Sequence, residues 1–361
     1  MDLVLVLTAV LVAAGTAERW AHGRALRAIH GREHVNGTRG KSWVTRLIAA
    51  GLNGAGMRAV AKTTGSARRL ILPDGHEQEV HRRGPANVRE QLHVTRRAAQ
   101  LKAHALVAEC MATAPELQRF LESHLMQSHV TVITNVRPDH QEALGPSLAG
   151  AARRKGARVE VVRAVDHPSP QEMARFDYYE HPANVACALS VCRQLGVERE
   201  VALQGMGRVR PDPGALTWMG LSLAGRTVRF VNASAANDAE STAAIFEHLH
   251  LRPDSERPLI VVLNARRDRP LRTVQLVGHL GSLLRADHYL VVGELSWAMK
   301  KRLAKLARAG LPLEILGQVP PQKVQERIAA LARAGSTVVG IGNIGGMGRA
   351  LIELCAGMKK S

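Results

Sequence analysis

Along most of the chain, short β-branched runs alternate with stretches whose apolar positions recur every three to four residues. That alternation predicts an α/β architecture with mostly parallel sheets. Strands are expected over 105–108, 130–135, 158–162, 227–231, 259–264, 288–293 and 337–341. Helices are expected over 42–54, 87–102, 115–128, 184–195, 239–250, 271–284, 296–307 and 321–333. Two places break the pattern. Residues His30 to His34 read His-Gly-Arg-Glu-His, too polar for a central parallel strand. Either the strand there is only Val35-Asn36, or its edges lie against polar surroundings. At the other extreme, Leu3 to Ala14 is apolar except for Thr8 and fades through Gly15-Thr16-Ala17. As a helix this run spans about 22 Å, short of the ~30 Å hydrocarbon core but workable with thinning or snorkelling. No basic stretch precedes it, so it is a poor signal peptide. Arg19, Arg24 and Arg27 follow it, and the positive-inside rule then places the rest of the chain in the cytoplasm. The expectation is an N-terminal membrane helix, single-pass or peripheral, against the alternative of a buried or interfacial helix. Arg210-Pro211-Asp212-Pro213-Gly214 can continue neither regular element and marks the best domain boundary. The expected organisation is an anchor with a basic linker over 1–29, a central domain over 30–210 and a C-terminal domain over 211–361.

Composition narrows this only a little. With 361 residues and 46% apolar content the chain has room for two or three domains with buried cores. Cys110, Cys187, Cys192 and Cys355 form no Cys-x-x-Cys pair and read as reduced core thiols, not metal ligands. The formal charge of +18 admits nucleic acid, an anionic membrane surface or a polyanionic substrate. Arginine dominates and is scattered, so an Arg-rich compositional bias is an equal alternative. An aromatic content of 3% leaves little to stack bases on, and nucleic acid is set aside.

The densest chemistry lies in Asn36-Gly37-Thr38-Arg39-Gly40-Lys41-Ser42. Its glycines let successive backbone N–H groups turn toward one anion. Lys41 can reach the outer phosphates of a nucleotide, and the Ser42 hydroxyl can ligate the Mg²⁺ that bridges them. The helical pattern that follows places a helix N-terminus under the same phosphates. The first glycine of the ordinary P-loop is replaced by Val35, so this is a shorter form, Gly-Thr-x-Gly-Lys-Ser. In open α/β sheets ligands sit at the carboxyl ends of strands. Glu109 follows Ala105-Leu106-Val107-Ala108 there, and Asp139-His140 follows the run 130–135. A carboxylate and an imidazole so placed can hold a divalent metal against bound phosphates, although each also suits an ordinary helix start or turn. Lys62-Thr63-Thr64-Gly65 offers an amine and hydroxyls that could close over a γ-phosphate or an acyl group, or could be a plain turn. Gly84-Pro85-Ala86-Asn87 reads as a loop ending in a helix cap. Asn184 opens a helix, either as its cap or with an amide that reads an adenine edge. Arg266, within Asn264-Ala265-Arg266-Arg267, suits phosphate or carboxylate recognition at the end of a buried strand. Asn237-Asp238 precedes a helix, and a Gly-rich segment, 340–346, follows the last predicted strand.

Taken in order, these segments resemble the poly-γ-glutamate synthase (CapB/PgsB) family, within the superfamily of Mur ligases and folylpolyglutamate synthases. The likeness runs over most of 34–354. Beyond the phosphate loop and Lys62–Gly65 it rests on the segments 84–91, 109–111, 135–140, 211–215, 235–238, 264–266 and 342–344. It implies a Mur-ligase-type P-loop central domain, a C-terminal Rossmann-like α/β domain and a preceding membrane helix. The implied activity is an ATP-dependent, ADP-forming amide ligase that activates a glutamate carboxylate as an acyl-phosphate for attack by an amine. The implied cofactors are ATP and Mg²⁺. The implied partners are glutamate, a polyanionic poly-γ-glutamate chain, other membrane subunits and the membrane itself, and no nucleic acid. By the same resemblance Lys41 holds the β/γ-phosphates, Ser42 a first Mg²⁺, Glu109 and His140 a second, and Asn184 the adenine. Asn36, Gly37, Thr38, Arg39 and Gly40 complete the cradle, with Asn237, Asp238 and Arg266 contributed from the C-terminal domain. Lys62, Thr63, Thr64 and Arg89 are candidate substrate contacts. Three departures stand out: Trp43 in place of a small hydroxyl residue, the polar Arg32-Glu33-His34 before the loop, and a short passage from Ser147 to Val159 where relatives carry a further helix and strand. The rival readings are a ligase that adds an amino acid to a small acceptor and a catalytically weak ATP-binding subunit.

Overall fold

Burial of whole β-branched runs decides the two sheets, each covered by helices. The protein is described by a computed structural model over residues 2–37, 40–64, 68–80, 87–112, 114–134, 160–176, 178–209, 216–234, 236, 238–267 and 270–357. The chain divides into two units, Met1–Arg210 and Pro211–Ser361. Unit 1 begins with helix α1 (Asp2–Arg27), then β1 (Gly31–Asn36), α2 (Lys41–Gly54), β2 (Ala59–Lys62), β3 (Arg69–Ile71) and β4 (Glu77–Glu79). It continues with α3 (Glu90–Gln100), β5 (Ala105–Glu109), α4 (Pro115–Phe120), a π-helix (Leu121–Met126), β6 (Val130–Ile133), α5 (Pro170–Met173), α6 (Pro182–Gln194) and α7 (Arg199–Met206). Its sheet has the order β4-β3-β2-β5-β1-β6. The four strands β2, β5, β1 and β6 are parallel, while β3 and β4 run antiparallel at one edge. Helix α2 covers one face with α6 and α7, and Val44, Leu47, Ile48 and Leu52 enter the core there.

Unit 2 contains β7 (Thr217–Leu223), β8 (Arg226–Asn232), α8 (Ala239–His248), β9 (Leu259–Ala265), α9 (Pro270–Gly278) and β10 (His288–Gly293). Then follow α10 (Trp297–Arg308), β11 (Leu313–Gly317), α11 (Pro321–Leu331), β12 (Thr337–Gly342) and α12 (Met347–Gly357). The sheet order is β11-β10-β9-β12-β8-β7, parallel apart from the antiparallel β7. Its central strand β9 is buried along its whole length, as a strand covered on both faces should be.

Several expectations change. Residues 160–162, expected to extend a strand, lie outside regular structure. There the Glu160 carboxylate accepts bonds from Ser190, Arg193 and Gln194, which ties the segment to helix α6 and not to a strand. The helix expected over 271–284 ends at Gly278, where the chain turns through the left-handed Gly281. The helix expected over 115–128 divides into α4 and a π-helix. Strands β3, β4, β7 and β11 and helices α5, α7 and α12 are additional to the expected elements. The shortened passage between Ser147 and Val159 lies outside the described residues.

The N-terminal helix continues well past the apolar run. Helix α1 runs without a break for 26 residues, about 39 Å, and is long and apolar enough to cross a membrane by length and composition. Leu3, Leu5, Leu11 and Val12 are exposed. The stretch expected to be a basic linker is instead the second half of the same helix, and it docks on unit 1. Leu26 is buried, the His22 ring Nε2 lies 3.0 Å from the Leu125 carbonyl, and Arg89 of the segment before α3 pairs with Glu18 at 2.8 Å.

Strand β1 is full length despite its polar sequence, which selects the polar surroundings of the two alternatives. Arg32 donates to the carbonyls of Leu26 and Ile29 at 3.0 Å and to that of Gln127 at 3.1 Å. His34 meets Glu122 of the π-helix at 2.7 Å. Burial pulls the His34 imidazole down, but the Cys110 thiol and the Glu122 carboxylate outweigh it and raise it to about 9. Glu33 is different, with 0% exposure and, among the described residues, no hydrogen bond to either carboxylate oxygen. Burial therefore raises it from 4.5 to about 8, and it is held as the neutral acid.

Two predictions follow from this packing. Between pH 4.5 and about 8 the folded chain keeps a Glu33 proton that the unfolded chain has lost, so stability falls with rising pH, by at most about 1.4 kcal/mol per pH unit. His34 acts in the same sense, its contribution being complete below 6.5 and lost as pH rises through about 9. The Tm difference between Glu33→Gln and the parent, which cancels the His34 part, should therefore grow in favour of the variant from pH 5 to pH 8. A constant offset across that range would refute the buried neutral acid. Separately, an added Cβ at Gly205 would run into the Ala50 carbonyl oxygen, where α7 crosses α2 at backbone contact. Gly205→Ala should cost about 1–3 kcal/mol in urea denaturation, as overpacked cores do.

Candidate active site

The register of unit 1 brings three predicted residues to one edge. Val35 is level with Glu109, Asn36 with Ile133, and Lys62 with Ala108, so Asn36, Glu109 and Lys62 all stand at the carboxyl ends of parallel strands. This is where an open α/β sheet takes its ligand.

The phosphate loop leaves β1 here. The Asn36 side chain accepts a bond from the Gly37 N–H at 2.8 Å and donates to Gln118 at 3.2 Å, which fixes the start of the turn. Gly37 (φ 129°) and Gly40 (φ 78°) adopt backbone conformations that side chains disfavour. Gly40 caps α2 with no side chain to satisfy the first-turn N–H groups, and these suit an anion. Lys41 folds back, its Nζ donating to the Gly37 carbonyl at 2.8 Å. Thr38 and Arg39 lie outside the described residues.

Glu109 gathers the site. Its Oε2 accepts both the Ser42 hydroxyl and the Thr64 backbone N–H, each at 2.7 Å, and no bond to Oε1 is found among the described residues. The carboxylate is 5% exposed, so its environment is largely protein. A hydroxyl and a carboxylate in contact beside a phosphate cradle are hard oxygen donors of the kind Mg²⁺ takes along with phosphate oxygens and water. The donor set fits that ion. Among the described residues no three His, Cys, Asp or Glu side chains form a metal cluster. His140, the other expected ligand, lies outside them.

The remaining candidates separate. Asn184 does reach the loop, because a Cβ on Gly40 would stand 2.6 Å from its Oδ1. Its Nδ2 donates to Glu180 at 2.8 Å. The cap of that helix is instead His181, whose Nδ1 accepts from the Ala183 N–H. Lys62 is fully buried, with its ammonium 2.8 Å from Glu90 and beside the Met111 sulfur. Thr63 is buried and accepts a bond from the Arg69 N–H. Arg89 faces Glu18, whereas Thr64 donates its backbone N–H to Glu109. Trp43 is accounted for by packing, since it stacks on Tyr178 with ring centroids 5.3 Å apart. Sequence reasoning overlooked Gln118, Glu180 and Glu90 as partners of the site. Glu180 stands four residues before Asn184, which was the available signal.

In unit 2, Asp238 caps α8, its carboxylate accepting the Ser241 N–H and hydroxyl at 2.7 and 2.9 Å. Arg266 lies at the carboxyl end of β9, against Gly345, in a cavity of about 920 Å³ shared with Asn264, Glu294 and Gln318. Asn237 lies outside the described residues.

Residues 221–358 match the family described as the poly-gamma-glutamate synthase CapB C-terminal domain. Over 385 residues the chain is 31% identical to the PGA synthase CapB of Bacillus subtilis (strain 168), covering 98% of this chain and 97% of that one. The chain belongs to the CapB family. The capsule biosynthesis protein CapB of Bacillus anthracis is also 31% identical, over 98% of this chain and 82% of its own. Among solved structures, Escherichia coli FolC in complex with ADP aligns with a TM-score of 0.67 at 15% identity, over 94% of this chain and 93% of FolC. The UDP-N-acetylmuramate-alanine ligase MurC of Thermotoga maritima aligns with a TM-score of 0.54 at 14% identity, over 94% and 79% of the two chains. These last two likenesses establish the fold, which is that of the Mur ligases and FolC.

If Ser42 and Glu109 of this CapB chain hold Mg²⁺, the ion should tighten nucleotide binding through them. A fluorescent ATP analogue should bind the parent at least tenfold more tightly with Mg²⁺ than without. That gain should shrink several-fold in Ser42→Ala and in Glu109→Gln while metal-free binding persists. An undiminished Mg²⁺ gain in both variants would remove the pair from the metal site.

Proposed function

We propose that the chain is the ATP-dependent amide ligase of poly-γ-glutamate synthesis, and that chemistry occurs where Lys41, Ser42 and Glu109 meet at the sheet edge. The observation that carries the placement is the Ser42–Glu109–Thr64 cluster at the mouth of the phosphate loop. ATP is the phosphoryl donor. Its phosphates would displace the Gly37 carbonyl as the partner of Lys41, and the first-turn N–H groups of α2 would face the same oxygens. Ser42 and Glu109 would hold Mg²⁺, which neutralises charge on the phosphate oxygens during transfer. Thr64 fixes the Glu109 carboxylate through its backbone N–H, so the ligand is oriented before nucleotide arrives. His140 is retained as a further ligand, and Asn184, beside Gly40, as a nucleotide contact. Arg266, Asn237 and Asp238 are retained as contributions from the C-terminal unit.

The chemistry has two steps. A glutamate carboxylate oxygen attacks the γ-phosphorus of ATP, the bond to the β-phosphate oxygen breaks, and ADP leaves an acyl-phosphate. An amine then attacks the acyl carbon, phosphate departs with the carbonyl–oxygen bond, and the amine gives up a proton to complete the isopeptide. Lys41 would stabilise the charge that spreads over the transferring group.

The apolar first half of α1 would anchor the protein, with the ligase units on the cytoplasmic side and other membrane subunits as partners. Trp20 is 63% exposed and Arg24 lies over its ring at 5.7 Å, an aromatic and cationic pair of the kind that marks a membrane boundary. Membranes supplied with ATP, Mg²⁺, glutamate and hydroxylamine should yield a glutamyl hydroxamate. Lys41→Ala should reduce it by roughly a hundredfold or more, the scale of losing one transition-state charge contact. Equal trapping by both proteins would defeat the assignment.

A further inference from the structure

Helix α10 carries a charge pattern that neither helix stability nor composition explains. Its exposed positions include Lys300, Lys301, Arg302, Lys305 and Arg308, and it contains no acidic residue. Cations in the last turn, Lys305 and Arg308, suit the negative end of the helix dipole. Lys300 and Lys301, one turn after the Ser296 cap, lie toward its positive end and gain nothing from it. An arginine-rich compositional bias would supply arginines, yet three of the chain's ten lysines fall in this one helix. No carboxylate pairs with these five side chains among the described residues. The nearby acids are committed elsewhere, Glu314 to Arg327 at 2.5 Å and Glu294 to Gln318 at 3.2 Å.

The cations also form a line. Met299 and Leu303 enter the core, so at 100° per residue Trp297, Lys301, Lys305 and Arg308 share the opposite, outward face. Trp297 is 76% exposed, and the Lys301 ammonium lies 5.2 Å from its ring centroid. Along that face successive cations rise about 4.5–6 Å. An extended γ-linked glutamate repeat, five backbone bonds long, advances by about 6 Å and presents one α-carboxylate per repeat. Lys301 to Arg308 spans about 10.5 Å, close to two repeat advances, and since a fully extended chain of one chirality turns successive carboxylates to opposite sides, the polymer must twist about its axis to set three of them on these cations.

We infer that the outward face of α10 is a track for the α-carboxylates of the poly-γ-glutamate chain, holding the polymer on unit 2 while its end is processed. This rests on the reading of the protein as a poly-γ-glutamate ligase. A flat basic face could also lie on anionic lipid, but the apolar side of α10 is already buried in its own unit. Only Trp297 remains to insert, so the soluble polyanion is the better fit.

The test uses full-length protein in nonionic detergent and fluorescently labelled poly-γ-glutamate, followed by anisotropy. The variant Lys301→Gln/Lys305→Gln/Arg308→Gln should bind the polymer roughly tenfold more weakly, with a flatter dependence on salt, since three exposed ion pairs are lost. A control with the same net charge, Arg96→Gln/Arg97→Gln/Lys102→Gln on unit 1, should bind as the parent does, and circular dichroism should show both folded. Equal weakening in the two triple variants would mean that overall charge acts, and would overturn the track. Unchanged polymer binding would overturn it too. So would polymer binding that persists while association with phosphatidylglycerol vesicles is lost, which would make α10 a lipid contact. Hydroxamate formation from free glutamate should be the same in parent and variant. Its absence from the parent would count against the ligase reading alone, because polymer binding is measured without turnover.

Discussion

The site depends on how a polar strand is kept inside a parallel sheet. Strand β1 carries Glu33 and His34 into the interior of unit 1 with Arg32 half-buried beside them, and the phosphate loop begins at its end. A buried polar group costs free energy unless it is bonded, and a buried charge costs more. Two of the three residues are bonded by groups on neighbouring elements. Arg32 ties together the end of α1 and the turn after the π-helix through carbonyl oxygens. His34 pins that π-helix through Glu122. Glu33 has no hydrogen-bond partner among the described residues, and burial keeps its carboxyl protonated below about pH 8. The strand that launches the active loop thus decides the placement of its neighbours on both sides.

From that foundation the geometry at the sheet edge is largely a matter of register. Parallel pairing of β1, β5 and β2 makes the ends of three strands level, and Glu109 then reaches both the first turn of α2 and the turn after β2. One carboxylate oxygen joins Ser42 to Thr64. The small residues where α2 meets α7 let the helix beneath the loop approach its neighbour at backbone distance. Gly37, Gly40, helix α2 and the Glu109 carboxylate are thereby held in fixed relation, the arrangement that the proposed phosphoryl transfer by positioning and charge would need.

Much of this was legible in the chain. Apolar runs such as 259–264 and 288–293 announce buried strands, because only a strand covered on both faces tolerates them. The Gly-Thr-x-Gly-Lys-Ser spacing and a glutamate directly after Ala105–Ala108 were readable for a similar reason: they are local. What sequence could not supply is partnership at long range. Nothing in Arg32-Glu33-His34 says that carbonyls and a carboxylate some ninety residues away will receive those groups. Nothing in Lys62 says that Glu90 will hold its ammonium. Trp43 looked like a lost hydroxyl, yet its role is to stack on Tyr178, a contact visible only in three dimensions. Residues 160–162 failed in the opposite way, since β propensity yields a strand only where a neighbour can pair with it.

Helix α1 passes from its exposed apolar half to its docked half with no hinge between them. With its apolar half in a bilayer, as proposed, such a helix would be a mast and not a tether. A flexible linker would let the enzyme sample every orientation above a bilayer, and much of its time would be spent with the active edge turned uselessly. A mast anchored by Glu18, His22 and Leu26 would instead make the tilt of the helix the attitude of the sheet. Lipid thickness, by setting that tilt, would then aim the carboxyl edge of unit 1, and with it the direction in which the growing polymer departs.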